Sequence, residues 1–179
     1  PLVFKELILT AHPDGLAVCL LMLAVLCFHR KNYYLMAMAL AASLAAKIFA
    51  VLFVPFLLYR AKLSVISVFI LTVIFLYVPL LLTSSSDLLG LSAMAQDWQF
   101  NSALYGLLFF WFPSTTVKII LAVSLLIGFS VYFYRYQFVE QTLGGTKILR
   151  GDMMMGVFLL CSPVINPWYL IWVLPFAVI

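Results

Sequence analysis

Apolar residues run through this chain in long unbroken blocks, and the polar positions fall between the blocks instead of alternating within them. The main blocks are residues 14–28, 33–59, 63–82, 114–134 and 152–165, and another starts at Pro167. Such blocks predict helices that are apolar around their whole circumference, because a half-buried strand would alternate with period two. Several approach or reach the ~20 residues that span a bilayer core. A β-barrel does not fit, since its strands alternate outward apolar and inward polar. Between the blocks lie short interfacial pieces: residues 2–11, which carry Lys5 and Glu6, and the aromatic stretch 102–112, closed by Pro113. His12-Pro13-Asp14-Gly15 starts the first long helix, with His12 or Asp14 as its cap and Pro13 in its first turn. The prediction is an all-α membrane protein. It is a polytopic transmembrane helix bundle of about seven membrane segments plus interfacial helices.

One block resists a simple reading. Residues 33–59 are 27 long with Lys47 near the middle, and basic groups flank the block at Arg30-Lys31 and Arg60-Lys62. A single crossing puts those two groups on opposite sides, against the preference of basic loops for the cytoplasm. Two short limbs, 33–46 and 48–59, remove the conflict by forming a hairpin with Lys47 at its outer tip. At 1.5 Å per residue the limbs reach only about 21 and 18 Å. Half-length helices are tolerated where their tip is buried in protein or lines a watery cavity, so Lys47 is expected in a cavity below the outer surface. The outer loop is then 83–101 and the inner loop 136–151. On this path the inner side carries Arg30, Lys31, Arg60, Lys62, Arg135, Lys147 and Arg150 against Glu140 and Asp152. The outer side carries Lys5, Lys47 and Lys118 against Glu6, Asp14, Asp87 and Asp97. The inner excess of basic charge has the expected sign.

Composition agrees with the pattern. Of 179 residues 66% are hydrophobic and 9% charged, with a mean hydropathy of +1.19; soluble domains carry about 25% charged residues. The net charge of +4 does not point to nucleic acid, because Lys and Arg come in short groups between apolar runs and form no patch of the kind such binding needs. Cys19, Cys27 and Cys161 fall within apolar helices with no pairing pattern and read as thiols buried in lipid or within the bundle. The chain opens without Met and stops inside an apolar run, and no signal peptide is visible. It is expected to be an internal fragment, one transmembrane domain over residues 1–179, of a larger membrane module.

Candidate chemistry collects on the outer face: Lys5, Glu6, His12, Asp14, Lys47, Asp97, Trp98, Asn101, Asn166, Trp168 and Tyr169. A carboxylate beside an imidazole serves acid–base work or orients a hydroxyl. A lysine in a low-dielectric cavity suits a phosphate leaving group, because one cation offsets one developing anion. Aromatic rings at the mouth of a helix, as in the stretch NPWYLIWVLP (166–175), stack on sugars or hold lipid tails. The same residues also fit plainer roles: His12 and Asp14 as a helix cap, Lys47 snorkelling, and Trp98, Trp168 and Tyr169 as an aromatic belt. No Cys/His cluster has metal spacing, and no glycine loop is built for phosphate.

Taken in order, PLVFKE, AHPDGLA, AAKIFAVLFVPFLL, WQFNSALYGLL and NPWYLIWVLP give a chain that resembles the GT-C superfamily of polytopic glycosyltransferases. It looks most like the bacterial mannosyltransferases of glycosyltransferase family 87. The resemblance implies transfer of a sugar, mannose first, from a polyprenyl-phosphate donor to a glycan or glycolipid acceptor. The site would face outside the cytoplasm in a bacterial inner (plasma) membrane; metal use varies across the superfamily, and because the sequence provides no ligand set, no metal and no cofactor are expected. It implies catalytic positions at Glu6, His12 and Asp14 and donor-phosphate binding at Lys47. Substrate binding falls to Trp98, Asn101, Asn166, Trp168 and Tyr169. The family's principal carboxylate lies in a loop upstream of Pro1. A multi-pass transporter or flippase is the alternative, since short hairpins and Pro-interrupted helices also frame midplane substrate sites.

Overall fold

The computed structural model describes residues 12–82, 99–139 and 149–178. The expected interfacial helix with Lys5 and Glu6, most of the outer loop with Asp87, Asp97 and Trp98, and most of the inner loop with Glu140 and Lys147 lie outside them. Every regular element among the described residues is helical, as the apolar blocks predict. The chain forms two compact units, Pro1–Ser92 and Ala93–Ile179.

In the first unit α1 spans Asp14–His29 and α2 spans Tyr33–Ala46. Between them the chain reverses tightly. Lys31 adopts a left-handed conformation (φ 59°). Its N–H donates to the Phe28 carbonyl, and that of Asn32 donates to Cys27 at 2.9 Å. This paired closure is the Schellman arrangement that ends many helices. Asn32 then caps α2, its Oδ1 accepting from the Leu35 N–H at 3.4 Å. The fully buried residues of the two helices are mostly small, with Ala17 and Ala24 on α1 and Ala37, Ala41 and Ser43 on α2 set among the larger Leu21, Met36 and Leu40. Small side chains let two backbones approach closely, the packing mode of membrane helices.

The 33–59 block breaks where the charge argument requires. α2 stops at Ala46, Lys47 is extended (φ −158°, ψ 128°), and a 3-10 helix, Ile48–Phe53, leads into α3, Val54–Leu58. After a second left-handed residue, Arg60 (φ 58°), α4 runs Leu63–Leu82 with Pro79 inside it. Two contacts fix the direction of travel. The Lys47 ammonium reaches Asp14 at one end of the unit, and the Tyr34 hydroxyl meets the Ser64 hydroxyl at 3.1 Å at the other. Residues 48–62 therefore return along the length of α2, and α4 sets out parallel to it. Phe49, Phe53, Phe56 and Leu57 bury the returning limb. On α4 only Val65 is buried among the described side chains, whereas Leu71, Ile74 and Phe75 are exposed.

In the second unit α5 spans Leu104–Phe109 and α6 spans Ser114–Tyr134, continuing as a π-helical turn over Arg135–Val139. Pro113, the residue before α6, holds extended backbone (ψ 146°) and so separates the two helices. α7 covers Gly151–Cys161, a 3-10 helix covers Pro167–Trp172, and α8 covers Leu174–Ala177. Tyr105, Val117, Leu121 and Cys161 form one buried cluster, and the Arg150 N–H donates to the Tyr132 hydroxyl at 2.9 Å. The start of α6 thus meets the end of α7 and the end of α6 meets its start, so the two helices are antiparallel.

Ser114–Phe138 is long and apolar enough to cross a membrane: its 25 residues reach about 37 Å against a hydrocarbon core of about 30 Å. Only 11% of its apolar window is buried. Among the described residues it is the single helix that meets this test. Cys27 and Cys161 are buried within the protein, and Cys19 is exposed on the surface of α1.

Candidate functional site

The first unit closes over a carboxylate–lysine pair. Asp14, the first residue of α1, is fully buried, and Lys47 Nζ donates to its Oδ2 at 3.2 Å with the lysine side chain 24% exposed. The position favours a carboxylate, because the helix N-terminus carries partial positive charge. Lys47 arrives there through the break in α2. Its N–H still closes the helix onto the Ser43 carbonyl at 2.9 Å, while its own carbonyl accepts from Ala50 at 3.3 Å and opens the 3-10 turn. The apolar run IFAVLF that follows is rich in β-branched and aromatic residues, which are weak formers of α-helix. The ammonium also lies 5.6 Å from the Phe49 ring centroid.

One turn below, the buried Ser43 hydroxyl donates to the Ala17 carbonyl at 2.7 Å. Ser43 stands four residues before Lys47 and Ala17 three after Asp14, so this bond seals the α1–α2 seam directly under the pair. No motif marks Ser43 in the sequence; its signal is a single serine in the alanine-rich half of α2, one turn from the lysine. His12 is half-buried, and its carbonyl accepts from Gly15 at 3.4 Å. The expected cap by His12 or Asp14 differs in detail: Pro13 occupies the N-cap, where no side-chain cap bond forms, and Asp14 turns to Lys47.

The second unit brings two of the anticipated motifs together. Phe100 pairs with Val164 in an isolated parallel bridge. Its N–H donates to Pro163 at 3.0 Å, and its carbonyl accepts from Ile165 at 2.8 Å. Ser162 prepares this contact by ending α7 and donating its hydroxyl to the Val164 carbonyl at 2.6 Å. Asn101 and Asn166 therefore follow directly on the two bridged segments. Asn101 is exposed and left-handed (φ 51°), a conformation asparagine tolerates better than most residues. Asn166 holds the N-cap position ahead of Pro167, as expected, but its side chain makes no cap bond. The Trp168 and Tyr169 rings meet edge to face at 6.0 Å, with Tyr169 buried and Trp168 half-buried. Trp98 and Glu6 lie outside the described residues.

Two further features sit at the other end of this unit. An apolar cleft of about 150 Å3 opens between α6 and α7, lined by Gly128, Phe129, Tyr132, Met153, Met154 and Val157. Arg150 and Asp152 form a forked ion pair at 2.8 and 2.9 Å. That hydrogen bond, then the charge of Asp152, holds the Arg150 guanidinium above its ordinary value. Among the described residues no group of three or more His, Cys, Asp or Glu side chains gathers as metal ligands.

No protein-family model matches this chain, and no curated protein or solved structure matches it either.

Proposed function

We propose that the chain is the membrane module of a GT-C-type glycosyltransferase. It moves a sugar, mannose first, from a polyprenyl-phosphate donor to a glycan or glycolipid acceptor outside the cytoplasm. The observation that carries this reading is Lys47: a partly exposed cation at the break of a half-length hairpin, anchored by a fully buried carboxylate. An ammonium held this way is pre-organised for an anion that forms during reaction, which is the use that gains most from a water-poor site. The exposed apolar faces of α4 and α6 support the membrane reading, because contiguous exposed apolar surface of this kind marks contact with lipid or with another protein.

In this reading the acceptor hydroxyl attacks the anomeric carbon, and the bond from that carbon to the donor phosphate breaks. The phosphate leaves with the electron pair beside Lys47. The hydroxyl proton passes to a base, for which Glu6 and His12 are the candidates within this chain. Asp14 is a positioning residue: with its Oδ2 bonded to Lys47 and no exposure, its part is to aim the ammonium. Trp98, Asn101, Asn166, Trp168 and Tyr169, all carried by the second unit, are the substrate-binding positions that the resemblance implies.

The test is sugar transfer by the purified protein in lipid nanodiscs supplied with a polyprenyl-phosphate sugar. Lys47→Ala is expected to lower kcat/KM about 10²–10³-fold, the usual loss when one stabilising donor is removed, and His12→Ala to slow transfer with insertion intact. Unchanged rates in both variants overturn the site assignment. Movement of substrate across the bilayer with no transferred product favours a transporter.

A further inference from the structure

The end of the first unit opposite Asp14 carries a concentration of charge that sugar transfer does not use. Arg30 and Lys31 form the α1–α2 turn, and Arg60 and Lys62 form the turn before α4; all four are exposed. The bond between Tyr34 and Ser64 at 3.1 Å ties the first turns of α2 and α4 together, so the two basic turns are neighbours. Among the described residues of this unit Asp14 is the one carboxylate, and it lies the length of α1, about 24 Å, away. Around the cations stand exposed apolar and aromatic groups: Tyr33, Tyr34, Leu35 and Leu63. Arg60 lies 5.2 Å over the Tyr59 ring.

A second observation concerns which residues make the turns. Lys31 and Arg60 are both left-handed, at φ 59° and 58°. Glycine ordinarily fills such positions, because a Cβ clashes there with the neighbouring carbonyl. In both turns a long cation stands where the backbone prefers glycine.

We propose that this end of the unit is a binding surface for the phosphates of anionic phospholipids, with Arg30, Lys31, Arg60 and Lys62 as the cations and the tyrosines at headgroup depth. Cations on an apolar rim match a leaflet whose surface is negative and whose interior is hydrocarbon, and each contributes a separate increment of attraction. The proposal rests on the membrane reading and not on sugar transfer.

Native mass spectrometry of the full chain in detergent, titrated with phosphatidylglycerol and with phosphatidylcholine, tests it. The wild type is expected to retain phosphatidylglycerol preferentially and to lose the preference at high salt. Lys31→Gly/Arg60→Gly removes two charges while giving each turn the residue it favours, so it folds at least as stably. Its affinity for phosphatidylglycerol should fall about 25-fold, about five-fold per cation, with phosphatidylcholine unaffected. Equal retention of the two lipids, or the same preference in the glycine variant, overturns the proposal. So does full competition by inorganic phosphate or by an RNA oligonucleotide, which would mark an ion site or a nucleic-acid surface. A chain that stays folded and monomeric without detergent overturns the membrane reading and this inference together; one that needs detergent but shows no lipid preference overturns this inference alone.

Discussion

Removing the lysine from the Asp14–Lys47 pair should cost far more than neutralising the aspartate, although each change deletes the same ion pair. At 3.2 Å and an effective dielectric constant of about 20, the gross attraction is about 5 kcal/mol. The two partners differ in what they lose. Asp14 is fully buried, so in Lys47→Met its carboxylate keeps the desolvation penalty and loses the ammonium, a loss of about 3–5 kcal/mol. Lys47 is 24% exposed, so in Asp14→Asn the ammonium reaches water, and the neutral amide carries no charge into the interior. About 1–2 kcal/mol is expected there. The double variant should resemble Asp14→Asn alone, giving a coupling about as large as the Lys47→Met cost itself, about 3–5 kcal/mol. Cys27 offers a local probe, being buried within α1. Its rate of thiol labelling in a Cys19→Ser/Cys161→Ala background reports opening of this unit under increasing denaturant. A cost below about 1 kcal/mol for Lys47→Met, or equal costs for the two single variants, would refute the argument that burial sets the asymmetry.

Two further outcomes follow from packing. A Cβ built on Gly128 meets nothing within 4 Å, so Gly128→Ala in α6 should stabilise the second unit by about 0.5–1 kcal/mol through helix propensity. At Gly151 a Cβ would collide with the buried Phe176 ring, so Gly151→Ala should destabilise by about 1–3 kcal/mol; thermal unfolding followed by tryptophan fluorescence measures both, since every Trp lies in that unit. Ser43→Ala should cost about 1 kcal/mol by losing the bond to Ala17, whereas Ser43→Leu should separate α1 from α2 and raise Cys27 labelling sharply.

Much of the architecture was written in the order of residues. Most helix limits followed from where apolar blocks meet charge, Pro or Gly, because runs this long without alternation favour helix over strand; α7 is the exception, stopping at Cys161, short of the end of its block. The break at Lys47 was also legible, through Arg30-Lys31 and Arg60-Lys62: charge bias is a sum over loops and needs no coordinates. Tertiary structure alone decided what Lys47 meets. Its partner Asp14 is 33 residues away, and no local pattern ties a lysine at the end of one helix to the first residue of another. The same holds for Ser43 with Ala17 and for Phe100 with Val164, which bring Asn101 and Asn166 onto adjoining segments. Local geometry escaped the pattern too. Residues 48–53 and 167–172 are 3-10 rather than α, and Lys31 and Arg60 are left-handed, because a tight reversal imposes backbone angles that propensity does not select. Hydrophobic pattern and charge bias thus located the elements and the break at Lys47. Close packing of α1, α2 and the returning limb decided which polar groups face one another, since only there does a buried charge have to find its counterpart.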